Sequence, residues 1–217
     1  MLKSALLTLL FAASLHAAEP VKTDLFTAGD AAYETYRIPG IVVTKKGTLL
    51  VYCEARKSAK SDWGHIDVML RRSTDGGKTF DAPRKIVDPT PSPADDTTVN
   101  NPVAIPDPDS GAVHFVYCIN YAHCFYMRSD DDGQTFSKPV DITATLEELR
   151  PKYDWKVFAT GPGHGIRLKS GRLLIPVWLA KPIEATDRPS DALTRALRTW
   201  RARPGAPLVC PAAKGTA

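Results

Sequence analysis

The sequence is short of cysteine, of clustered charge and of long apolar runs. Its four cysteines are too few for a disulfide-dense scaffold, and their spacing fits no zinc-binding pattern. The formal net charge of +4 comes from 28 basic and 24 acidic residues that form no basic block or stripe, which argues against a nucleic-acid partner. With 43% hydrophobic residues, the 217-residue chain can bury the core of one large domain or two small ones.

One apolar run lies at the N-terminus. The basic start Met1-Leu2-Lys3 precedes apolar residues 5–15, and the small residues Ala17 and Ala18 follow. This order is typical of a secretory signal peptide, and the run is too short to span a bilayer. We therefore predict a signal peptide at residues 1–18 and export of the mature protein to the periplasm or the extracellular medium.

The cysteines leave two arrangements open. Cys118 and Cys124 are placed to face each other across a hairpin, where they would be able to form a disulfide. Cys53 and Cys118, in contrast, occupy equivalent apolar segments, where a buried free thiol is the simpler interpretation.

An eight-residue template occurs twice, at residues 73–80 and 129–136, and we call it the Asp box. Both copies read Ser-x-Asp-x-Gly-x-Thr-Phe, and the second begins 56 residues after the first. Ser and Asp side chains bond to nearby backbone, Gly accepts a positive φ and Thr-Phe begins a strand, so each box predicts a tight hairpin turn. A calcium loop at residues 130–132 is the alternative, but neither copy ends on the glutamate that a twelve-residue loop requires.

Short apolar segments accompany both boxes in the same order. The segments GTLLVYCE, GAVHFVYC and GRLLIPVW correspond to one another and begin at Gly47, Gly111 and Gly171. Such repeats of four antiparallel strands predict an all-β chain with the architecture of a β-propeller. The predicted strands are residues 36–43, 48–54, 66–72 and from 79 in the first unit, and 102–106, 112–118, 124–128 and from 135 in the second, with a helical turn at 146–149.

The composition changes after about residue 180. The remaining stretch is rich in Ala, Arg and Pro, has no alternating strand pattern and retains at most Thr199-Trp200 of a third box. A propeller ring closes with about four or more blades, whereas this sequence supplies about two and a half. We therefore expect an incomplete propeller at residues 19–180 and, at 181–217, a disordered tail or the product of a truncation or frame shift.

Two charged residues are candidates for a site. Arg37, in Tyr36-Arg37-Ile38-Pro39, opens an apolar strand, where a guanidinium is costly unless it meets an anion such as a carboxylate. A surface arginine before a strand is the plainer alternative. Asp62 lies in a polar, mobile loop between predicted strands, where it is either a solvated turn residue or, if the loop closes over a substrate, a general acid.

The chain resembles the exo-α-sialidases, the neuraminidase family, over residues 26 to about 179. The Asp boxes alone are weak evidence, since several propeller families carry them. The specific motifs are YRIP at 36–39, EAR at 54–56, Asp62 followed by LRRS at 70–73, Asn101-Pro102, and FATGPGHGI at 158–166. His164 in the last motif has no catalytic role to carry over, and we interpret it as a pocket-wall or structural residue.

The resemblance implies a six-bladed propeller that hydrolyses terminal sialic acids with retention, through a tyrosine nucleophile. It implies that Arg37 is the first of three arginines that bind the sialic acid carboxylate and that Asp62 is the general acid/base. Arg56 and Asn101 match positions that line the same pocket. No metal or organic cofactor is implied, and the expected partner is a sialylated glycan.

The family's later motifs are not matched after Leu179. These include the tyrosine nucleophile, its glutamate partner and the second and third arginines. We therefore predict negligible turnover by this chain alone. A non-catalytic carbohydrate-binding propeller is the main alternative, and a purely structural propeller with Asp boxes is a third.

Overall fold

A computed structural model describes residues 20–88 and 96–181 in full, and the backbone of residues 194–203 and 206–209. The predicted signal peptide at residues 1–18 and Cys210 lie outside the described residues. In the part of the chain that is described, no helix is long and apolar enough to cross a membrane.

The described chain forms three antiparallel sheets, which confirms the all-β prediction. The first two sheets each contain four strands in sequence order. Their strands are β1 (Thr35–Val43), β2 (Leu49–Arg56), β3 (Ile66–Ser73) and β4 (Arg84–Lys85), then β5 (Val99–Pro106), β6 (Val113–Ile119), β7 (His123–Ser129) and β8 (Val140–Asp141). A short helix, α1 (Ala144–Glu147), follows β8 and overlaps the predicted helical turn.

The third sheet is larger than the sequence predicted. Its strands are β9 (Val157–Thr160), β10 (Ile166–Arg167), β11 (Arg172–Ala180), β12 (Thr194–Arg203) and β13 (Ala206–Val209). Both β9 and β10 pair with β11, so together they occupy the place of the single first strand in the other sheets.

Strand β12 corrects the prediction for residues 181–217. The sequence predicted no strand there, yet eight residues of β12 pair with β11 from Arg172↔Arg201 to Leu179↔Thr194. The pattern TRALRTWRAR alternates too weakly to signal a strand by itself. This segment forms a strand because it pairs with the edge of β11, and strand formation depends strongly on neighbouring strands.

The core lies between successive sheets. Tyr52 of β2 packs edge-on against Phe115 of β6, with ring centroids 5.4 Å apart, and its hydroxyl accepts the main-chain N–H of Ala104 at 3.0 Å. The same ring covers β1 so closely that a Cβ at Gly40 would lie 2.2 Å from it. A second apolar cluster joins the second and third sheets around Trp155 and Phe158, so each sheet is held by burial against its neighbour.

The first strands of the first two sheets share an irregularity, and a related turn with a cis peptide bond follows β9 in the third. A residue with a positive φ precedes a proline in Ile38-Pro39, Asn101-Pro102 and Gly161-Pro162, with φ values of 53°, 53° and 68°. In β1 and β5 the pairing register shifts at this point, which is the signature of a β-bulge. A positive φ is unfavourable for the β-branched Ile38 and tolerated by Asn101, and bulges of this kind commonly re-aim side chains beside a site.

The Asp boxes form the predicted turns, and their carboxylates are saturated by local donors. In the first box Asp75 accepts bonds from Ser73 and from the hydroxyl and N–H of Thr79 at 2.6–3.0 Å. In the second box Asp131 accepts the equivalent bonds from Ser129 and Thr135. The predicted fourth strands at residues 79 and 135 are wrong in position and length, because β4 and β8 begin five residues later and contain only two residues each.

The second box also contacts the first sheet. The Asp132 carboxylate accepts hydrogen bonds from the Thr44 hydroxyl at 2.5 Å and from the Thr48 hydroxyl, and it lies 3.5 Å from the Arg72 guanidinium. Asp132 is buried and has a φ of 67°, at the position that Gly76 occupies in the first box. This turn therefore joins two sheets as well as two strands.

The described cysteines are buried free thiols. Cys118 and Cys124 lie directly opposite each other on β6 and β7, as the hairpin prediction required, but they form no disulfide. Cys53, on β2, is free as well. The simpler interpretation of these residues is confirmed.

Candidate active site

Three of the predicted site residues meet at one carboxylate oxygen. Asp62 Oδ1 lies 3.1 Å from Arg37 Nη1 and 2.5 Å from Arg56 Nη1. Arg37 is at the start of β1, Arg56 ends β2 and Asp62 lies in the following loop. The side chains of Arg37 and Asp62 are 52% and 59% exposed, whereas that of Arg56 is 2% exposed. A ligand can therefore reach the first pair, while Arg56 supports it from below.

Glu54 is part of this arrangement, and the sequence analysis did not single it out. Its Oε2 accepts hydrogen bonds from Arg56 Nε at 2.9 Å and from Nη2 at 2.6 Å, and its Oε1 accepts the Asn101 N–H at 2.7 Å. The signal was present in the EAR motif, because residues two apart on a strand face the same side of the sheet. Glu54 and Arg56 therefore form an ion pair buried on one face of β2.

Burial and pairing act in opposite directions on these two groups. Desolvation raises the pKa of Glu54, against the lowering effect of the Asn101 N–H and of Arg56. Desolvation also disfavours the charged form of Arg56, but its hydrogen bonds to Asp62 and Glu54 outweigh that effect and raise its pKa. The Arg56 guanidinium thus stays charged and can hold the Asp62 carboxylate.

Asn101 joins the site through its main chain. Its N–H binds Glu54, and its carbonyl accepts the Thr160 hydroxyl at 2.7 Å. Its side-chain oxygen accepts a bond from Asn100 Nδ2 at 2.8 Å. The structure therefore places Asn101 beside the site, with Glu54 between it and Arg56.

The loop that carries Asp62 is anchored to the second sheet. The Thr98 hydroxyl donates to the Gly64 carbonyl at 2.7 Å and accepts the Gly64 N–H at 3.0 Å. The Tyr121 hydroxyl donates to the main-chain carbonyl of Asp62 at 3.2 Å. The sequence predicted a mobile loop; these bonds between sheets instead fix its path.

An exposed aromatic side chain follows Asp62. The Trp63 ring lies 4.7 Å from the ring of Tyr121, which in turn lies 5.7 Å from that of Trp178. Burial raises the pKa of Tyr121. Trp63 itself remains 52% exposed, so one end of this aromatic row reaches the surface beside the acid.

Comparison with known proteins identifies the family. The family model described as a BNR repeat-like domain matches residues 47–203, which includes β12. A sialidase of Bacteroides fragilis is 32% identical over 173 residues, which cover 69% of this chain and 31% of that protein. An exo-alpha-sialidase of Aspergillus fumigatus is 31% identical over 195 residues, covering 77% of this chain and 45% of that protein. The chain thus spans between about a third and a half of the length of these relatives.

Solved structures give the same result for the fold. Hadza microbial sialidase Hz136 superimposes with a TM-score of 0.63 at 25% identity, over 80% of this chain and 36% of that one. The intramolecular trans-sialidase from Ruminococcus gnavus, in complex with oseltamivir carboxylate, has a TM-score of 0.58 at 15% identity, over 82% of this chain and 68% of that one. The three sheets have the fold of sialidase propeller blades, and the chain belongs to the BNR repeat-like family as a member of its exo-α-sialidase group.

Proposed function

We propose that the protein is by family an exo-α-sialidase, one of the glycoside hydrolases that remove terminal sialic acid from glycoconjugates with retention, and that this chain supplies the substrate-binding and acid/base part of that site. The main observation behind this proposal is that Arg37 and Arg56 both form ion pairs with the exposed carboxylate of Asp62. We further propose that the protein acts after export, outside the cytoplasm.

Arg37 is suited to bind the substrate carboxylate. Among the described residues its guanidinium makes a single ion pair, through Nη1 to Asp62, and half of its side chain is exposed. A sialic acid carboxylate would take up the remaining donors of this planar group in a two-bond arrangement. Arg37 would then exchange part of its contact with Asp62 for the substrate.

Asp62 is suited to the acid/base role because Arg56 keeps it in place during that exchange. The buried guanidinium of Arg56 is itself fixed by two bonds to Glu54, so it does not follow the ligand. In the proposed reaction Asp62 protonates the departing glycosidic oxygen and then takes a proton from the attacking water. Its exposure gives the substrate access to the carboxylate.

The tyrosine nucleophile is not assigned to any described residue. Tyr121, which contacts Asp62, has a pKa raised by burial, and its hydroxyl is bound to a main-chain carbonyl. Tyr33 has a pKa raised by burial and by its hydrogen bond to Asp67. Because a nucleophilic tyrosine must lose its proton readily, we propose that this chain binds sialosides but turns them over negligibly.

Titration calorimetry of the full chain with methyl α-sialoside tests the binding part of the proposal. We expect saturable binding that Arg37→Ala weakens at least about tenfold, as is typical for loss of a charge-assisted bond pair. Arg150→Ala is the matched control, because Arg150 is also a partly exposed arginine in an ion pair, with Glu147. No binding by the unaltered chain, or an equal effect of both substitutions, would contradict the proposal.

Hydrolysis of a fluorogenic sialoside tests the catalytic part. Binding without hydrolysis would agree with the lack of an assigned nucleophile among the described residues and would also fit the alternative of a carbohydrate-binding propeller. Robust, saturable hydrolysis by the full chain would refute our proposal of negligible turnover.

A further inference from the structure

We propose that Trp63 is the stacking surface for the sugar from which sialic acid is cleaved, a neutral hexopyranose. This inference rests on the proposed function, because it assigns the leaving half of the same substrate. It adds a subsite at the residue that follows Asp62 in the loop.

Trp63 is unusual in being both exposed and fixed. The loop before it is polar, with the sequence Lys-Ser-Ala-Lys-Ser-Asp at residues 57–62, yet the indole ring is 52% exposed. The main-chain N–H of Trp63 donates to the Ser61 hydroxyl at 3.0 Å, and the indole ring packs against the ring of Tyr121. The next residue, Gly64, is held on both sides by Thr98. The ring is therefore pre-positioned, and little side-chain entropy is lost when a ligand covers it.

The position of Trp63 follows from the chemistry assigned to its neighbour. A general acid touches the glycosidic oxygen, which joins the sialic acid to the next sugar. If Arg37 binds the sialic acid carboxylate, Asp62, which lies 3.1 Å from Arg37, is placed at the glycosidic oxygen, and the next sugar begins at that oxygen. Trp63 directly follows Asp62, and its exposed ring contacts Tyr121, whose hydroxyl binds the main-chain carbonyl of Asp62. A subsite for the leaving sugar is thus the placement that this geometry favours.

The surface suits a hexopyranose better than a charged group. The C–H face of a pyranose ring is apolar and flat enough to cover an indole, and aromatic side chains are frequent anchors of this kind at binding surfaces. The row from Trp63 through Tyr121 to Trp178 backs the ring with further apolar surface.

Binding measurements with two ligands distinguish this subsite from the sialic acid site. Methyl α-sialoside contains the sialic acid alone, whereas α2,3-sialyllactose adds two neutral hexoses on the leaving side. By titration calorimetry of the full chain, we expect the unaltered protein to bind sialyllactose more tightly. Trp63→Ala should weaken sialyllactose binding about tenfold and leave methyl α-sialoside binding unchanged, while Trp63→Phe should retain most of the preference.

Ile166→Ala is the control, because Ile166 is a similarly exposed apolar residue at another place, on β10. Unfolding in urea should show the same midpoint for all variants. If Trp63→Ala weakens the affinity for both ligands equally, Trp63 only holds the loop in place. If it changes the affinity for neither, Trp63 does not contact the ligand. Either result overturns the inference. If the unaltered chain binds neither ligand, the proposed function fails first and the subsite falls with it.

Discussion

Glu54 and Asn101 are joined across two sheets by a 2.7 Å hydrogen bond from the main-chain N–H of Asn101 to the Glu54 carboxylate. The other oxygen of this carboxylate holds Arg56, which holds Asp62. One buried side chain therefore determines both the position of the candidate acid and the alignment of the first strand of the second sheet.

Glu54→Gln should reduce the free energy of unfolding by about 3 kcal/mol, because it leaves the buried charge of Arg56 without its buried counter-charge. Urea unfolding followed by tryptophan fluorescence measures this loss. Glu147→Gln is the matched control, since Glu147 forms an exposed pair with Arg150, and its effect should stay below about 1 kcal/mol. Equal losses in the two variants would contradict the structural role of Glu54.

Thr98→Val should loosen the loop that carries Asp62. The change keeps the size of the side chain but removes the hydroxyl that makes two bonds to Gly64, at a cost of about 1 kcal/mol. We expect faster tryptic cleavage after Lys57 and Lys60, because local opening of the loop becomes more frequent. Thr145→Val removes a hydroxyl bond to Ile142 outside this loop and should leave cleavage at these lysines unchanged.

His114 should make stability fall as the solution becomes acidic. Burial, together with a smaller effect of Arg128, lowers the pKa of His114 to about 4, and its Nδ1 lies 2.9 Å from the Tyr126 hydroxyl. The unfolded chain takes up a proton near pH 6.5, but the folded chain does so only near pH 4. The stabilising contribution is therefore complete above pH 6.5 and is lost as the pH falls to 4, by about 3 kcal/mol at most.

The pH dependence can be assigned with two substitutions. Urea unfolding between pH 7 and pH 4 should show a shallower decline in His114→Gln than in the unaltered chain. His123→Gln, at an exposed position on β7, should leave the decline as it is. A decline that is unchanged in His114→Gln would show that other groups cause it.

Asp132→Asn should weaken the contact between the first two sheets. The substitution removes the charge that binds Thr44, Thr48 and Arg72, and we expect a loss of about 2 kcal/mol in the free energy of unfolding. Asp130→Asn, two residues earlier in the same box and exposed, should cost less than about 1 kcal/mol. If both variants unfold alike, the second box acts only within its own turn.

Local patterns predicted most of the strands and both boxes. Short apolar segments marked β2, β6 and β11, and the Ser-Asp-Gly pattern marked the turns, because these features depend on residues close together in the chain. The resemblance to the family brought Arg37, Arg56 and Asp62 to one site, and the structure shows them in contact.

Contacts between residues far apart in the sequence could not be predicted from local sequence patterns. The bonds of Thr98 to Gly64 and of Asp132 to Thr44 join residues 34 and 88 positions apart, and no short motif signals such a contact. Strand β12 was missed for the same reason, since its order derives from the neighbouring edge of β11. Glu54 was missed because a charged residue within an apolar strand implies a buried partner, but the sequence does not show which residue that partner is.

The breaks before the three prolines divide the work between recognition and assembly. The residue before each break is Arg37 in the first sheet, Asn100 in the second and Thr160 in the third. Arg37 is half exposed, whereas Asn100 and Thr160 are fully buried and bond to Asn101. An exchange at position 37 would therefore change what an incoming molecule meets, while an exchange at position 100 or 160 would change how the sheets fit together.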